Sequence, residues 1–375
     1  MDTQSEHIET VIIGGGQAGL SVGYHLQKRQ RSFVILDDHE RVGDNWRRHW
    51  DSMRLFSPAR ADKLPGMAFP ASTWHYPSKD EMADYLEEYA AAFGLPLRSG
   101  VRVESLSRDE DGFVVATNAG VIHADNVVVA TGTFGRSPRV PDFATDLDPD
   151  ILQMHSSEYL RPGQLQDGAA LVVGASHSGA DIAYEIGSTH DTVLSGHVAG
   201  EMPFRIESRP AHVILPLMLF VARHLLTIKT PIGRKMRPEV RMHGGPLLRV
   251  KKADLARVGV EWTPSRTAGV TGGQPVLDDG RILDVTNVIW CTGFRQDFGW
   301  IKFPVLGEDG WPDEKRGVVT SEPGLYFSGL AFQFGFTSML VTGADNDAKF
   351  VAEHIATRSS QSAGRRGLSQ LRRAS

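Results

Sequence analysis

The stretch TVIIGGGQAGL, residues 10–20, decides how the chain begins to fold. Its β-branched start is typical of a strand buried on both faces, and its glycines match the spacing G-x-G-x-x-G of a turn between a strand and a helix. In such a turn Gly14 permits the tight bend, Gly16 lets a pyrophosphate approach the backbone, and Gly19 lets the helix pack against the strand. The stretch therefore predicts a dinucleotide site at the N-terminal end of a helix.

An acidic pair supports this prediction. Asp37 and Asp38 come directly after the next predicted strand, residues 32–36. A carboxylate at that place in a Rossmann-type unit accepts hydrogen bonds from the ribose of the nucleotide. Strand, turn, helix and acid all agree, which favours a ligand-binding turn over a purely structural one.

A second strand, turn and helix begin at residue 170, with the sequence ALVVGASHSGADIAYEI. Gly174 and Gly179 occupy the outer positions of the same glycine spacing, while Ser176 stands at the middle one. Serine is short enough to leave the helix N-terminus open to a phosphate, and its hydroxyl can donate to a pyrophosphate. The chain therefore predicts two Rossmann-type units.

The order of these units predicts an α/β protein with two Rossmann-type dinucleotide-binding domains, the second inserted in the first. A third buried strand at 287–291 and a final helix near 345–355 return the chain to the first unit. The last residues are rich in Ser, Gly and Arg, which is typical of disorder. The predicted boundaries are 1–160 with 286–357 for the first domain, 161–285 with a divergent part at 200–250 for the second, and 358–375 for a disordered tail.

Composition narrows the function further. The chain has 375 residues and a formal net charge of -5, so it lacks the broad basic surface that nucleic-acid binding needs. Its N-terminus is polar and acidic and runs directly into a strand, unlike a secretory signal, which predicts a cytoplasmic location. Cys291 is the sole cysteine, so no redox-active cysteine pair can form within the chain, and no zinc-type spacing or Ser-His-Asp order is found. Electrons must then travel on a bound cofactor.

Residues 213–228 form the one apolar run that invites comparison with a membrane segment. The run is too short to span a bilayer and is interrupted by Arg223 and His224, so no transmembrane segment is predicted. We expect a buried or partner-facing helix, and a helix lying on the membrane surface is the alternative. That alternative rests on flanking cations, namely Arg205, Arg209, Lys229 and Arg234.

Between the two turns, Gly43-Asp44-Asn45-Trp46-Arg47 resembles the G-G-x-W-R stretch of the flavin-containing monooxygenases. The similarity continues through residues 54–58 and 76–79, and it is closest to the bacterial and plant branch that includes the indole-3-pyruvate monooxygenases. The resemblance implies that FAD binds at the first turn and that Asn45, Trp46 and Arg47 lie along the FAD. It also implies NADPH at the second turn, with NADH as the alternative, and a small organic substrate together with O2.

The family fingerprint F-x-G-x-x-x-H-x-x-x-(Y/F/W) is only half present. His155 and Tyr159 fit it, whereas Pro149 and Ile151 stand where Phe and Gly are expected. His155 is a candidate for positioning the nicotinamide, and an exposed loop histidine is the alternative. The missing half keeps a flavin reductase or oxidase open beside the monooxygenase.

The choice of nicotinamide depends on the second strand of the inserted domain. It ends in Leu194-Ser195-Gly196-His197, where relatives commonly carry Arg in place of the histidine. A 2′-phosphate would lose one cation there, and Arg205 or Arg209 is close enough in sequence to replace it, although both could equally be solvent-exposed residues. On this basis NADPH is preferred over NADH.

The predicted cofactor-binding residues lie in the two glycine turns, in the stretch 43–47 that resembles the monooxygenases (the resembling stretch), in the last helix and in two links between the domains, at 131–132 and 292–293. Each link follows a buried strand, and no side chain is assigned to the activation of oxygen. In chain order the predicted residues are Gly14, Gly16, Gln17, Ala18, Gly19, Asp37, Asp38, Asn45, Trp46, Arg47, Thr131, Gly132, Gly174, Ser176, Ser178, Gly179, His197, Arg205, Thr292, Gly293 and Asp347.

Three functions are compatible with these patterns. The resemblance favours a single-component monooxygenase, in which NADPH reduces FAD, oxygen adds at the flavin C4a position, and retained NADP⁺ shields the hydroperoxide from water. The second is a reductase or oxidase that passes electrons to another acceptor. The third is a non-catalytic flavin-binding regulatory protein.

Overall fold

The computed structural model describes residues 6–133 and 137–373, with side chains described as far as residue 360. Residues 1–5 and the last two residues of the predicted tail lie outside these ranges. The helices are α1 (Gln17–Lys28), α2 (Asp44–Arg47), α3 (Lys79–Ala92), α4 (His177–Ile186), α5 (Ala211–His224), α6 (Pro231–Met242), α7 (Lys252–Arg257) and α8 (Val341–Arg373). The strands are β1 (Glu6–Ile13), β2 (Phe33–Leu36), β3 (Leu97–Arg98), β4 (Val103–Arg108), β5 (Phe113–Thr117), β6 (Gly120–Val129), β7 (Ser137–Pro138), β8 (Leu152–His155), β9 (Ala170–Val173), β10 (Thr192–Ser195), β11 (Glu261–Thr263), β12 (Thr267–Thr271), β13 (Gln274–Leu277), β14 (Asn287–Trp290), β15 (Phe294–Arg295) and β16 (Leu325–Phe327).

The first sheet is built around the strand that opens the chain. Its strand order is β3-β2-β1-β6-β5-β4, and β16 pairs with β6 in parallel. The neighbouring residues Val11 and Ile12 of β1 point to opposite faces and are both fully buried, as the β-branched sequence predicted. Helices α1 and α8 pack together on one face, so the two ends of the chain share this domain.

The second sheet is parallel throughout, with the order β11-β10-β9-β14-β8. The predicted α/β fold with two Rossmann-type sheets is confirmed, but the predicted boundaries at 160 and 286 are wrong. Strand β14 lies between β9 and β8, with Asn287 opposite both Ala170 and Leu152, so residues 152–155 and 287–290 belong to the second sheet. The chain therefore crosses between the domains just outside these two strands.

The last helix extends into the predicted disordered tail. Helix α8 continues to Arg373, whereas disorder was expected from residue 358. The guanidinium of Arg358 donates to the carbonyl oxygen of Asp125 at 3.1 Å and to the side chain of Asn126 at 2.9 Å. This arginine therefore fastens the helix to β6 at the residue where the tail was predicted to begin, and disorder beyond it stays a prediction.

The divergent part of the second domain reaches across to the first. The N–H of Ile228 donates to the carbonyl oxygen of Phe334 at 2.9 Å. From α6, Arg237 and Arg241 donate to the carboxylate of Glu314 at 2.8 and 3.2 Å. Helices α5 and α6 are therefore held against the segment that leads into α8.

Helix α5 is only partly buried, so of the two expectations, a buried or a partner-facing helix, the first is wrong and the second stays a prediction. Its inner stripe, Ala211, Leu215 and Ala222, is buried, but Val213 is 76% exposed and Leu217 is 63% exposed. One side of the helix therefore packs against the protein, and the apolar side chains on the opposite side are exposed to solvent. Within 6–133 and 137–373, no helix combines the length and the hydropathy that crossing a membrane requires.

Candidate functional site

The first glycine turn has the geometry that a pyrophosphate needs. A Cβ on Gly14, where φ is 111°, would lie 2.5 Å from the carbonyl oxygen of Ala130, and a Cβ on Gly19 would lie 1.9 Å from the carbonyl oxygen of Gly14. A Cβ on Gly16, by contrast, would meet nothing within 4 Å. Two glycines are thus required by the protein itself, and the third leaves open space, which fits the predicted pyrophosphate.

The N-terminus of α1 opens onto this space. Its first turn contains Gln17 and Ala18 and no acidic residue, so the free N–H groups and the helix dipole favour an anion there. The indole N–H of Trp46 donates to the side-chain oxygen of Gln17 at 3.4 Å, which brings the resembling stretch to the turn. Sequence reasoning missed Gly329, where a Cβ would lie 2.8 Å from that of Ala18.

The acidic pair lies beside the turn. The N–H of Gly15 donates to Asp37 at 2.5 Å, and His39 donates to the other oxygen of Asp37 through its backbone N–H, with its ring nitrogen Nδ1 2.8 Å away. The ring also lies 3.2 Å from Asp38, and hydrogen bonds from the ring to the two aspartates raise the pKa of His39 to about 9. A protonated His39 therefore holds Asp37 where the ribose is predicted.

The resembling stretch is fixed mainly by its arginine. Arg47 donates to the carbonyl oxygen of Val42 at 2.8 Å and pairs with Asp84 and Glu87 of α3 at 2.7 and 2.9 Å. Asn45 is exposed. The guanidinium therefore fastens α2 to α3, and contact of these residues with FAD stays a prediction.

A buried carboxylate on α8 has the character of a ligand group. Asp347 is 1% exposed, and neither of its oxygens has a hydrogen-bond partner among the described residues. Burial raises its pKa to about 6, although the neighbouring Ser338 and Arg316 lower it. Polar groups this deeply buried normally have a partner, so the orphaned oxygens fit the predicted hydrogen bonds to FAD.

The second glycine turn repeats the constraints of the first. A Cβ on Gly174, where φ is 109°, would lie 2.4 Å from the carbonyl oxygen of Cys291, and a Cβ on Gly179 would lie 1.8 Å from the carbonyl oxygen of Gly174. The hydroxyl of Ser176, at the middle position, donates to the carbonyl oxygen of Gly245 at 3.0 Å. The serine therefore contacts a protein loop at the place where a phosphate was predicted.

Sequence reasoning missed that loop. A Cβ on Gly244 would lie 2.8 Å from Ser176, and a Cβ on Gly245 would lie 2.6 Å from the ring of His177. The two consecutive glycines let the loop cover the N-terminus of α4, where Ser178 is half-buried. The glycine pair itself was the only sequence signal.

His155 is a buried residue at the end of β8, so its description as an exposed loop histidine is wrong. It is 2% exposed, and its Nε2 lies 3.0 Å from the carbonyl oxygen of Gly293. A carbonyl only accepts, so Nε2 carries the proton, and Nδ1 accepts from Ser157. Burial lowers the pKa of His155, which favours this neutral form.

The two domain links have similar backbones. Gly132 and Gly293 have φ values of 78° and 79°, and Thr292 donates through its hydroxyl to the carbonyl oxygen of Arg139. Thr131 is half-buried beside Gly132. The structure thus places both predicted links directly after β6 and β14, next to the turns.

The predicted determinants of nicotinamide choice lie beyond β10. His197 is exposed and follows Gly196, whose carbonyl oxygen accepts from the indole of Trp262 at 3.1 Å. The guanidinium of Arg205 is paired with Asp254 at 2.7 Å. The structure therefore keeps His197 open to a ligand and gives Arg205 a protein partner.

Comparison with known proteins agrees with the presence of two nucleotide-type glycine turns. Residues 11–213, which include both glycine turns, match the family described as pyridine nucleotide-disulphide oxidoreductase. The chain is 38% identical to an uncharacterized CzcO-like oxidoreductase of Geobacillus kaustophilus strain HTA426, over 93% of this chain and 98% of that one. It is 29% identical to the probable indole-3-pyruvate monooxygenase YUCCA3 of Arabidopsis thaliana, over 93% of this chain and 86% of that one.

The fold is also similar to a solved structure. A flavin-containing monooxygenase from Stenotrophomonas maltophilia superposes with a TM-score of 0.76 and 25% identity. The match covers 94% of this chain and 99% of that one. The similarity therefore extends over both sheets.

Replacing Gly16 with valine should abolish FAD binding without unfolding the chain. A Cβ there meets no protein atom, but it occupies the space through which the pyrophosphate approaches. Flavin absorbance of the purified protein measures binding, and circular dichroism measures folding. Gly163→Val is the matched control because a Cβ at Gly163 also meets nothing within 4 Å, and it should keep the flavin. A folded, fully yellow Gly16→Val protein would contradict the assignment.

The stability of the first domain should fall as the pH rises toward 9. The folded pKa of His39 is raised to about 9 from 6.5, so its contribution is complete below about pH 6.5 and is lost as the pH rises through the folded value. We expect the free energy of unfolding of the wild type to fall by about 2 kcal/mol relative to His39→Gln over this window. Urea unfolding across the pH range measures it, and parallel curves for the two proteins would refute the role of His39.

Proposed function

Because this chain belongs to the pyridine nucleotide-disulphide oxidoreductase family and is a flavin-containing monooxygenase-like flavoprotein, we propose that it uses FAD and NADPH to oxygenate a small organic substrate with O2. The observation that carries the proposal is the pair of matching turns at the ends of β1 and β9. Each places a helix N-terminus beside the carboxyl ends of parallel strands, which are β1, β2 and β6 in the first sheet and β9, β10 and β14 in the second. The carboxyl ends of such strands are where nucleotides bind in doubly wound folds.

The chain's own residues would bind and orient the two cofactors. At the first turn, Gly16 would leave room for the pyrophosphate and Asp37 would accept from the ribose, and Asp347 of α8 would supply buried acceptor oxygens. At the second turn, the N-terminus of α4 and His197 would hold the phosphates of NADPH. The chemistry that FAD supplies when bound is acceptance of a hydride from the nicotinamide and reduction of O2.

His155 would act on the nicotinamide side as a positioning residue. Its neutral ring donates from Nε2 to Gly293 and thereby fixes the link that leaves β14. The neutral state also excludes proton donation from this ring at neutral pH, because burial lowers its pKa. The residue therefore sets the geometry of the link rather than moving a proton.

The cysteine content favours oxygen over a disulfide as the electron acceptor. Cys291 is the sole cysteine, and burial behind the second turn raises the pKa of its thiol. This partly buried thiol is a poor nucleophile in its neutral form, and the chain has no second cysteine with which it could form a disulfide. An oxygenase therefore suits the chain better than a reductase that uses its own cysteine pair.

A flavin reductase or oxidase is the second candidate. It is favoured by Pro149 and Ile151, which replace the Phe and Gly of the monooxygenase fingerprint just before β8. Such an enzyme would use the same two turns but release its electrons to another acceptor or to O2 as peroxide. The two candidates therefore differ in product and not in cofactor.

NADPH should reduce the bound flavin faster than NADH. If Arg205 contacts the 2′-phosphate, Arg205→Gln should weaken NADPH about ten- to a hundredfold and leave NADH unchanged, since a charged hydrogen bond contributes about 1.5–3 kcal/mol. Anaerobic stopped-flow bleaching of the flavin measures both nicotinamides.

A matched control separates the phosphate contact from the local ion pair. Arg257 donates to the same oxygen of Asp254, at 2.9 Å against 2.7 Å for Arg205, so Arg257→Gln disturbs that pair alone and should keep the preference. Loss of preference in Arg209→Gln instead would identify Arg209 as the cation. Equal rates with both nicotinamides in the wild type would contradict the NADPH assignment.

Oxygenated product should form in amounts equivalent to the NADPH consumed. The screen covers ketones, amines, sulfides and α-keto acids, with labelled O2 and detection of the label in the product by mass spectrometry. Gly16→Val should lose both NADPH consumption and product, which ties the reaction to the flavin site. Peroxide in amounts equivalent to NADPH with every substrate class would favour the oxidase instead.

A further inference from the structure

Among the residues that the structure describes, none covers the outer apolar face of α5 and its C-terminal end. It consists of Val213, Ile214, Leu217, Met218, Phe220 and Leu225, and these side chains are 36% to 76% exposed. Together with Ile232 and Met242 of α6, they make up eight of the twelve large apolar side chains that are exposed among the described residues. An apolar patch so concentrated marks an interaction surface rather than ordinary surface variation.

The same segment is strongly cationic. Residues 208–238 contain no Asp or Glu, although the whole chain has a net charge of -5. The segment's basic residues are Arg209, Arg223, Lys229, Arg234, Lys235 and Arg237. Of these, Arg237 alone has a carboxylate within ion-pair distance among the described residues. The other five are exposed and have no carboxylate partner there, although Arg223 and Arg234 donate to backbone carbonyl oxygens and Lys229 lies over the ring of Phe334. Their positive charge is therefore not neutralised by a described acidic side chain.

Helix α6 places charge and apolar surface on one stripe. Ile232, Lys235, Glu239 and Met242 follow the spacing i, i+3, i+7 and i+10, so they share one side of the helix. Ile232 and Met242 are each 63% exposed. The stripe thus combines apolar ends with a lysine and with Glu239, which lies 3.1 Å from the ring of His243, and its two exposed apolar side chains extend the apolar surface of α5.

The segment presents this surface rigidly. The bond from Ile228 to Phe334 and the pair of arginines on buried Glu314 hold the two helices against the first domain. A fixed surface loses little conformational freedom on binding, which favours association. The helices therefore form a preformed platform.

The positive charge of residues 208–238 also argues against a second copy of the chain as the partner that covers the outer apolar face of α5. A two-fold interface brings the same patch of each copy together, so the five cations of one copy would face the five of the other. Like charges across an interface disfavour association, whereas anionic headgroups attract the same cations. The complementary partner is a lipid surface.

We propose that α5 and α6 bind the surface of a membrane that contains anionic lipid. The outer apolar face of α5 inserts at the boundary between headgroups and acyl chains, and the flanking cations contact lipid phosphates. Both contributions are needed, because a short apolar face or a basic patch alone gives only weak attachment. The proposal is independent of the reaction that the enzyme performs.

Sedimentation with vesicles tests the proposal on the full-length holoprotein. Phosphatidylcholine vesicles containing phosphatidylglycerol should pellet the protein, and phosphatidylcholine alone should bind it at least about tenfold more weakly. Leu217→Ser with Phe220→Ser should lower binding to the anionic vesicles at least about tenfold. The double variant Arg209→Gln with Lys235→Gln should also bind the anionic vesicles more weakly. High salt should weaken binding of the wild type in the same way, because it screens the charges.

Two matched controls keep the test specific. Ile282→Ser with Leu306→Ser changes side chains that are 54% and 48% exposed elsewhere, and it should leave vesicle binding unchanged. Lys63→Gln removes an exposed cation outside the segment and should also have no effect. Flavin absorbance confirms that each variant is folded.

Three results would overturn the proposal. The first is equal binding of wild type and the Leu217/Phe220 double variant. The second is equal binding to both kinds of vesicle. The third is a stable dimer in light scattering that the same double variant abolishes, in a protein that ignores vesicles, because the outer apolar face would then be an interface between copies.

Discussion

The close approach of a helix to the strand before it, at one glycine in each domain, is the constraint on which the rest of the structure depends. A Cβ on Gly19 or Gly179 would lie within 2 Å of the carbonyl oxygen of Gly14 or Gly174, so only glycine allows the two elements to meet. The helix then starts directly over the end of its strand. Its free N–H groups and the positive end of its dipole consequently face the carboxyl edge of the sheet.

The same constraint brings the links between the domains to the nucleotide sites. In each turn the first glycine lies close to the carbonyl oxygen of the residue that follows the neighbouring strand. This residue is Ala130 after β6 in the first domain and Cys291 after β14 in the second. The chain leaves each sheet immediately after that carbonyl. His155 then holds the second link through Gly293. A change in the position of either turn must therefore change the path of the chain between the domains.

Sequence reasoning succeeded where a few neighbouring residues decide the geometry. The glycine spacings predicted both turns, and the β-branched residues before the first turn predicted that β1 is buried. It failed where distant residues decide. Strand β14 is buried throughout, as β2 of the first sheet and β9 of the second are, so its partners could not be read from its sequence, and β8 buries only His155. An apolar helix such as α5 has the same sequence whether its outer face is covered or not. The partner of Ser176 is Gly245, 69 residues further along the chain.

The divergent segment contacts Glu314 of the first domain and Ser176 of the second glycine turn, and these two contacts differ greatly in strength. Glu314 is fully buried, and burial raises its pKa to about 7 against the two arginines of α6. Removing one partner of such a buried pair costs about 3–5 kcal/mol. The contact between Ser176 and Gly245 is a single neutral hydrogen bond, which contributes about 1 kcal/mol. A phosphate arriving at the N-terminus of α4 would supply a charged acceptor for the serine hydroxyl, and charged hydrogen bonds are roughly twice as strong as neutral ones. The loop can therefore yield to the nucleotide while α6 stays fixed to the first domain.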